Sequence, residues 1–234
     1  MQYFNIVVLT GAGVSAESGL QTFRDNNGLW QNHRFEDLAT PEAFANNPGL
    51  VNRFYNQRRA QLLSAEVKPN MAHISLAEFA ASAAGKLLLV TQNVDNLHEQ
   101  AGSKRVLHMH GELLSARCVN SGVSRRYDKD IDESSRCQCC SPGNRLRPDI
   151  VWFGEMPMYM PQIEQALADC DLFIAIGTSG HVYPAAGFVS VARAAGAHTV
   201  ELNLAPSQGQ NYFAEHHYGP ASDIVPRFLQ SLMK

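Results

Sequence analysis

The run VLTGAGVSAESGLQTFR, residues 8–24, says most about the architecture of this chain. An apolar segment leads into glycines, and residues 11–16 fit the loose pattern G-x-G-x-x-G/A. Glycines at these places let the backbone approach a pyrophosphate at the N-terminus of a helix. The run therefore predicts a nucleotide site after a first strand, although a plain strand-to-helix turn is an alternative for these residues alone.

The segment that follows differs from that of a dehydrogenase. A dinucleotide fold that transfers hydride places an acidic residue after a second strand, to bind the ribose. Here QTFRDNNGLWQNHRFEDLATP contains Glu36 and Asp37 but has no strand pattern before them. We predict instead a loop in which Phe23 excludes water from the nucleotide and Arg24 binds phosphate or ribose. A solvated loop with one buried Phe is the alternative.

The rest of the chain alternates between strand and helix patterns. Four apolar runs predict buried parallel strands, NIVVLT, KLLLVTQ, DLFIAIGT and HTVELNL, and DIVWFGE is a fifth candidate. Helical patterns lie between them, and the last helix, ASDIVPRFLQSLMK, opens with Ser222 as a candidate N-cap. This alternation predicts an α/β protein with a Rossmann-like, doubly wound parallel sheet.

Two insertions interrupt the alternation and predict a smaller second part. Residues 32–69 are helical and polar, whereas residues 115–147 are polar and contain four of the five cysteines. We therefore divide the single domain 1–234 into a large part, residues 1–31, 70–114 and 148–234, and a small domain made from the two inserts.

Composition restricts the class of protein. Hydrophobic residues make up 45% of the 234 residues, enough for a sizeable core, and the formal net charge is −3. We expect no nucleic-acid partner, since there is no overall basic charge, and no membrane segment, since no apolar run reaches about 20 residues. The N-terminus shows no signal-peptide pattern, so we expect a cytoplasmic protein in which clustered cysteines bind metal or remain free thiols.

Six motifs in register resemble the sirtuins over nearly the whole chain. They are GAGVSAESGLQTFR, TQNVDNLHEQAG, HMHGELLSARC, IVWFGE, GTSGHVYPAAG and ELNL. The resemblance implies a Rossmann-type large domain, a small domain with a helical insert and a short zinc-ribbon-like module, and NAD as a co-substrate that is consumed. It also implies an NAD-dependent lysine deacylase of the bacterial desuccinylase-like type, which removes acetyl, succinyl and malonyl groups from extended peptides. The products are free lysine, nicotinamide and O-acyl-ADP-ribose.

The resemblance also assigns residues to NAD and to catalysis. His110 matches the general base, and its neutral imidazole can accept a ribose proton near pH 7. Asn93 and Asp95 match catalytic residues beside the nicotinamide. The expected NAD-binding residues are Gly11, Ala12, Gly13, Ser15, Ala16, Glu17, Thr22, Phe23, Arg24, Trp30, Gln92, Asn93, Val94, Asp95, Gly177, Thr178, Ser179, Asn203, Leu204, Ala205 and Ala221.

The helical insert predicts which acyl group is removed. Tyr55 and Arg58 lie three residues apart and share a helix face, and such a pair marks family members that accept succinyl-lysine. A guanidinium can bind the succinyl carboxylate, the Tyr55 hydroxyl can add a hydrogen bond, and Ala39 matches a small residue that widens the pocket. The segment Val151, Trp152, Phe153, Gly154 and Glu155 resembles the one that pairs with the substrate backbone.

The zinc pattern is incomplete. The family has two C-x2-C pairs, but here Ser121 stands where the partner of Cys118 is expected. The second pair is Cys137 and Cys140, with Cys139 between them. Cys139 could complete four ligands, water or another side chain could do so, or the metal could be lost.

Two other functions fit the same sequence. Mono-ADP-ribosyl transfer would use the same NAD site, and a non-catalytic NAD sensor could bind peptides without turnover. The joint presence of His110, Asn93 and Asp95 argues against the sensor.

Overall fold

The computed structural model of the protein describes residues 3–20, 29–30, 33–34, 38–82 and 85–233. For residues 29–30 and 33–34 only the backbone is described. The predicted NAD-loop residues Thr22, Phe23 and Arg24 lie outside the described residues, as does the side chain of Trp30.

The described chain contains eleven strands and seven α-helices. The strands are β1 Asn5–Thr10, β2 Leu29–Trp30, β3 His33–Arg34, β4 Lys86–Thr91, β5 Val106–His108, β6 Gly111–Cys118, β7 Ser124–Arg126, β8 Leu146–Ile150, β9 Leu172–Ile176, β10 His198–Asn203 and β11 Glu215–Tyr218. The helices are α1 Pro41–Asn46, α2 Pro48–Leu62, α3 Met71–Ser82, α4 Leu97–Gln100, α5 Met160–Asp169, α6 Phe188–Ala194 and α7 Ala221–Leu232.

Six strands form the central sheet, in the order β11-β10-β9-β1-β4-β5, and all neighbours are parallel. The Rossmann-like prediction is confirmed, and the four apolar runs are β1, β4, β9 and β10. The strand order reverses between β1 and β9, so the ends of these strands define the crevice where such sheets bind ligands.

Apolar residues cover both faces of this sheet, which explains the continuous apolar runs in its strands. Helices α3 and α7 contribute Leu76 and Phe228 to the cluster on one face. Helices α5 and α6 contribute Ile163 and Phe188 to the cluster on the other. No helix among the described residues is long and apolar enough to cross a membrane.

A separate antiparallel sheet, in the order β7-β6-β8, lies in the second part of the chain. The prediction that DIVWFGE forms a core strand is wrong in two ways. Its first residues belong to β8 and pair with β6, and the residues after Ile150 form a turn. An apolar run can be buried in a small sheet as well as in a parallel one, so periodicity alone does not separate the two.

Helices α1 and α2 begin at capping residues followed by proline. The Oγ1 atom of Thr40 accepts the Ala43 N–H at 3.0 Å, and the Oδ1 atom of Asn47 accepts the Leu50 N–H at 3.0 Å. Proline has no N–H, and at the first helical position this costs nothing, because an N–H there would have no partner within the helix. These local signals fix the start of α2, the helix that contains Tyr55 and Arg58.

The start of α7 is stabilised by a distant carboxylate. The helix begins at Ala221 after Pro220, so the prediction of Ser222 as its N-cap is wrong. Instead, the N–H of Ser222 donates to Glu17 Oε1 at 2.9 Å, and its hydroxyl donates to Glu17 Oε2. A carboxylate at a helix N-terminus satisfies open donors and favours the helix dipole.

Candidate active site

Three glycines bring the loops after β1 and β9 into direct contact. The N–H of Gly13 donates to the carbonyl of Gly177 at 2.9 Å. A Cβ atom added at Gly11 would lie 2.8 Å from the Gly177 oxygen, and one added at Gly177 would lie 2.4 Å from the Val14 nitrogen. Gly177 also has φ +61°, which favours glycine. The glycines therefore shape the crevice by letting its two backbones touch.

A buried polar network lies under this crevice and joins Ser15, Asn93 and Asp95. The Asn93 amide donates to Ser15 Oγ at 3.1 Å, and the Ser15 hydroxyl donates to Asp95 Oδ2 at 3.0 Å. The Leu97 N–H donates to the other Asp95 oxygen at 3.1 Å. Burial raises the pKa of the Asp95 carboxyl, and these two hydrogen bonds oppose the shift. The fold thus brings together three residues that the sequence assigned to NAD.

His73, on α3, extends the network from below. Its Nδ1 atom accepts the Asn70 N–H at 3.3 Å, so the ring proton sits on Nε2, which lies 3.4 Å from Ser15 Oγ. Burial lowers the pKa of His73 to about 4. The imidazole is therefore neutral at pH 7 and fixes the direction of the Ser15 hydroxyl.

His110 lies just beyond the end of β5, and its ring is held in one tautomer. The Nδ1–H donates to the Gln92 carbonyl at 3.1 Å, which leaves Nε2 as a proton acceptor. Burial lowers the pKa of His110, and the bond to Gln92 only partly opposes this shift. A neutral imidazole with a free acceptor nitrogen suits a general base.

His108 differs from His110 in its surroundings. Its Nδ1 donates to the Asn93 carbonyl at 3.1 Å, and its Nε2 lies 2.8 Å from Glu99 Oε1. Burial opposes the charged form, but Glu99 outweighs it and raises the pKa of His108. The side chain is buried and occupied on both nitrogens, which fits a structural role.

Further predicted NAD residues lie at the ends of β4, β9 and β10. The Gln92 amide donates to Thr178 Oγ1 at 3.0 Å, and the Asn203 amide donates to the Thr178 carbonyl at 2.8 Å. Leu204 and Ala205 follow Asn203 on the surface. Ser179 extends the loop after Thr178 and accepts the Gln208 N–H through its carbonyl at 3.3 Å.

The residues predicted to read the acyl group gather around Trp152. The Trp152 indole N–H donates to the Tyr55 hydroxyl at 3.0 Å, and both side chains are buried. Ala39 is buried in the same cluster, and Val94 packs against it from beside Asn93. Burial lowers the pKa of the nearby Arg58 to about 10, so its guanidinium still carries its charge at neutral pH.

Hydrogen bonds to other segments of the chain hold the turn of residues 151–155 in place. The N–H of Val151 donates to the His110 carbonyl and that of Phe153 to the Ala39 carbonyl, each at 2.9 Å. Glu155 accepts two bonds from Arg147, at 2.7 and 2.8 Å. Gly154 completes the turn with φ +90°. The predicted peptide segment therefore joins the helical insert to the His110 loop.

Four thiols meet in the segment 118–146, called the cysteine module below. The Sγ atoms of Cys118, Cys137, Cys139 and Cys140 all lie within 4.8 Å of one another. Those of Cys118 and Cys140 are 3.7 Å apart, and Ser121 Oγ lies 3.1 Å from Cys139 Sγ. Cys139 therefore lies beside the serine that replaces the expected cysteine.

Sequence reasoning missed His73, Asn70 and Glu99 as supports of this site. His73 and Asn70 lie in KPNMAH, residues 68–73, which runs into the first turn of α3 and is distant in sequence from Ser15. Only the packing of α3 beneath the glycine loop brings them together. For Glu99 a signal existed, since it is the acidic residue of the quoted motif TQNVDNLHEQAG and lies on α4.

Comparison with known proteins identifies close relatives. Residues 11–184 match the Sir2 family. The NAD-dependent protein deacylase of Pasteurella multocida is 60% identical over 228 residues, covering 97% of each chain. That of Escherichia coli K12 is 56% identical over 234 residues, covering 100% of this chain and 84% of the relative.

Solved structures agree with these sequence relatives. A complex of a Sir2 homologue with NAD is 35% identical, with a TM-score of 0.89, and the alignment covers 99% of this chain and 90% of the other. A Sir2–p53 peptide–NAD+ complex is 28% identical, with a TM-score of 0.82, covering 98% and 93%.

Proposed function

The chain belongs to the Sir2 family, and from this membership we propose that it is an NAD-dependent protein-lysine deacylase. It removes acetyl, succinyl and malonyl groups from lysines in extended peptides and gives free lysine, nicotinamide and O-acyl-ADP-ribose. The proposal is supported by relatives named NAD-dependent protein deacylase at 56–60% identity. We also propose that it acts in the cytoplasm.

The observation that carries the proposal is the fixed tautomer of His110. With Nδ1–H on the Gln92 carbonyl, only Nε2 can accept a proton, and the lowered pKa keeps it available at neutral pH. NAD would supply the ribose carbon, to which the acyl oxygen would bond as the bond to nicotinamide breaks. His110 would then take the proton of a ribose hydroxyl as that oxygen attacks the acyl carbon, the lysine amine would leave with a proton, and one water molecule would complete the O-acyl-ADP-ribose.

The residues around the crevice fit NAD. The glycine loops after β1 and β9 lie in contact at the point where the strand order reverses, which is where such sheets bind the phosphates of a nucleotide. Ser15, Asn93 and Asp95 are already oriented by the buried network, so they position the nicotinamide end with little rearrangement. Gln92, Thr178 and Asn203 lie where the ribose and adenosine groups are expected.

Selectivity for acidic acyl groups is proposed to come from α2. A carboxylate entering beside Tyr55 would meet the Arg58 guanidinium, and the Tyr55 hydroxyl retains its own proton to donate because it only accepts from Trp152. Ala39 leaves room beside them. Acetyl-lysine needs neither contact and is accepted by the same pocket.

We propose that the cysteine module binds structural zinc through Cys118, Cys137, Cys139 and Cys140. A Zn–S distance of about 2.3 Å in a tetrahedral site implies thiolates about 3.8 Å apart. The observed Sγ separations of 3.7 Å and 4.0 Å fit this spacing. Zinc would fasten the ends of β6 and the loop to β8, and it would take no part in the chemical step.

Mass spectrometry of acetyl-, succinyl- and malonyl-lysine peptides, with and without NAD, tests the function. We expect loss of each acyl mass only with NAD, together with O-acyl-ADP-ribose. NAD labelled in the ADP-ribose part separates the alternatives. Label on protein would indicate mono-ADP-ribosyl transfer, and NAD binding without any product would indicate a sensor.

A further inference from the structure

Helix α2 has two sets of polar side chains with different contacts. Tyr55 and Arg58 belong to the proposed acyl pocket, whereas Asn56 and Arg59 contact β6 and the cysteine module. Neighbouring residues of a helix point about 100° apart, so one rigid helix presents both sets at once. A displacement of α2 at the acyl pocket would therefore also move the residues that contact β6 and the cysteine module.

Asn56 holds the backbone of Ile131 in both directions. Its Nδ2 donates to the Ile131 carbonyl at 2.9 Å, and its Oδ1 accepts the Ile131 N–H at 3.0 Å. The same Oδ1 accepts Arg59 Nη1 at 2.8 Å, and Arg59 Nε donates to the Leu113 carbonyl at 3.0 Å. Asn56 thus fastens the cysteine module to α2, and Arg59 fastens Asn56 to β6.

Ile131 transmits this attachment to the thiols. It is 1% exposed and lies in one cluster with Ala116, Cys118, Cys137 and Leu146. The position of the Ile131 backbone therefore limits how Cys118 and Cys137 can be arranged. Because protein interiors are closely packed, a displacement of Ile131 would also displace the side chains that it contacts.

Strand β8 provides a second connection between the cysteine module and the acyl pocket. Strand β8 begins at Leu146 in the cysteine cluster and ends at Ile150, and two residues later Trp152 donates to the Tyr55 hydroxyl. The cysteine module thus reaches the acyl pocket through β8 and Trp152, and it reaches the same helix through Ile131 and Asn56.

We infer that Asn56 is a positioning residue that couples the cysteine module to the acyl-lysine pocket, so that zinc in the module and an acyl-peptide in the pocket stabilise each other. This inference rests on the proposed function. Because binding free energies are reciprocal, a peptide that binds more tightly to the zinc-loaded protein must raise the affinity for zinc by the same factor. We expect most of that gain to appear as slower release of zinc.

The test measures the rate at which zinc passes to a chromogenic chelator from the full chain. Wild type, Asn56→Ala and the matched control Gln57→Ala, an exposed residue of the same helix, are compared with and without a succinyl-lysine peptide, in the absence of NAD. We expect the peptide to slow release from wild type and from Gln57→Ala by about tenfold, within the range usual for coupled sites. Asn56→Ala should release zinc faster and show no peptide effect.

Two further measurements guard against a simple folding defect. NAD affinity should be unchanged in Asn56→Ala, since the side-chain hydrogen bonds of Asn56 within the described residues go to Ile131 and Arg59. Asn56→Asp keeps the acceptor for the Ile131 N–H and loses the donor, so its release rate should lie between the other two. Hydrogen exchange should rise in residues 127–137 of Asn56→Ala.

Equal release rates in Asn56→Ala and Gln57→Ala would overturn the inference, as would a peptide effect that survives in Asn56→Ala. Wild-type protein that binds no zinc would overturn it as well. A peptide effect in wild type without any NAD-dependent turnover would support the coupling and count against the proposed function.

Discussion

The crevice at the end of the parallel sheet and the cysteine module both hold a group of side chains in a fixed arrangement, but different interactions hold them. In the crevice, Ser15, Asn93 and Asp95 are held by hydrogen bonds within the chain, and they lie in the segments that follow β1 and β4, two strands buried on both faces. In the module, the thiols converge in a small apolar cluster at the end of the antiparallel sheet, and they are Cys118, Cys137, Cys139 and Cys140.

This difference indicates what each region needs in order to keep its shape. A large core fixes the crevice before any ligand binds, so substitutions there should change chemistry more than folding. The module buries few apolar residues, and small structures of this kind gain much of their stability from a metal. Substitutions there should change metal binding first and activity second.

The largest effect is expected for His110→Ala. Removing the proton acceptor should lower turnover by about 10²–10⁴-fold, while NAD binding and the unfolding temperature stay near wild type. Steady-state kinetics and thermal unfolding check this, with His217→Ala, a half-exposed histidine of the edge strand β11, as the control. In wild type, kcat/KM should rise with pH through a midpoint below about 6.5, since the pKa of His110 is lowered. Unchanged turnover in folded His110→Ala would exclude it as the base.

Arg58→Met should separate the acyl substrates. Succinyl-lysine activity should fall by about 2–5 kcal/mol in transition-state free energy, the cost of leaving a buried carboxylate without its partner. Acetyl-lysine activity should change far less. The ratio of kcat/KM on the two peptides is the measurement, and Arg53→Met, exposed on the same helix, is the control. Equal losses on both peptides would assign Arg58 to the fold or the NAD site.

Cys139→Ser tests whether the module is completed by the unexpected thiol. Losing one of four thiolates should weaken zinc binding by about 3 kcal/mol, roughly a quarter of the ~10–16 kcal/mol of structural sites. Because Ser121 Oγ lies 3.1 Å from Cys139 Sγ, adding Ser121→Cys should restore binding. Metal content after competition with a chelator checks both, with Cys170→Ser, a buried thiol outside the cluster, as control. Full zinc in Cys139→Ser alone would exclude Cys139 as a ligand.

The smallest effect is expected from pH and His73. The pKa of His73 is about 4 in the folded protein and about 6.5 in the unfolded chain. Between these pH values the unfolded chain binds more protons than the folded protein, so the free energy of unfolding falls as the pH falls. Between pH 7 and 5 the contribution is about 2 kcal/mol. Urea unfolding at both values should show a smaller difference for His73→Gln, whereas His181→Gln should match wild type. An identical pH dependence in His73→Gln would mean that the buried imidazole is not the cause.

The sequence was sufficient for the parallel strands and for the residues at their ends. Runs such as NIVVLT are long and apolar because both faces of the sheet are covered, so local pattern and tertiary position agree. Positions after these strands, including Gln92 and Thr178, then had to meet along one edge. It did not reveal β11, whose run EHHY is short and polar.

Long-range packing decided what the sequence left open. Whether Cys139 or Ser121 could join the thiols depended on a loop path that no local pattern encodes, and the fold brings the fourth Sγ within 4.8 Å. Glu17 became the cap of α7, 205 residues away, and DIVWFGE became part of the small sheet. Local sequence determines which segments are strands and helices, because periodicity and capping act over a few residues. Only the packing of distant elements determines which side chains form a hydrogen-bond network, which thiols cluster and which carboxylate binds the start of a helix.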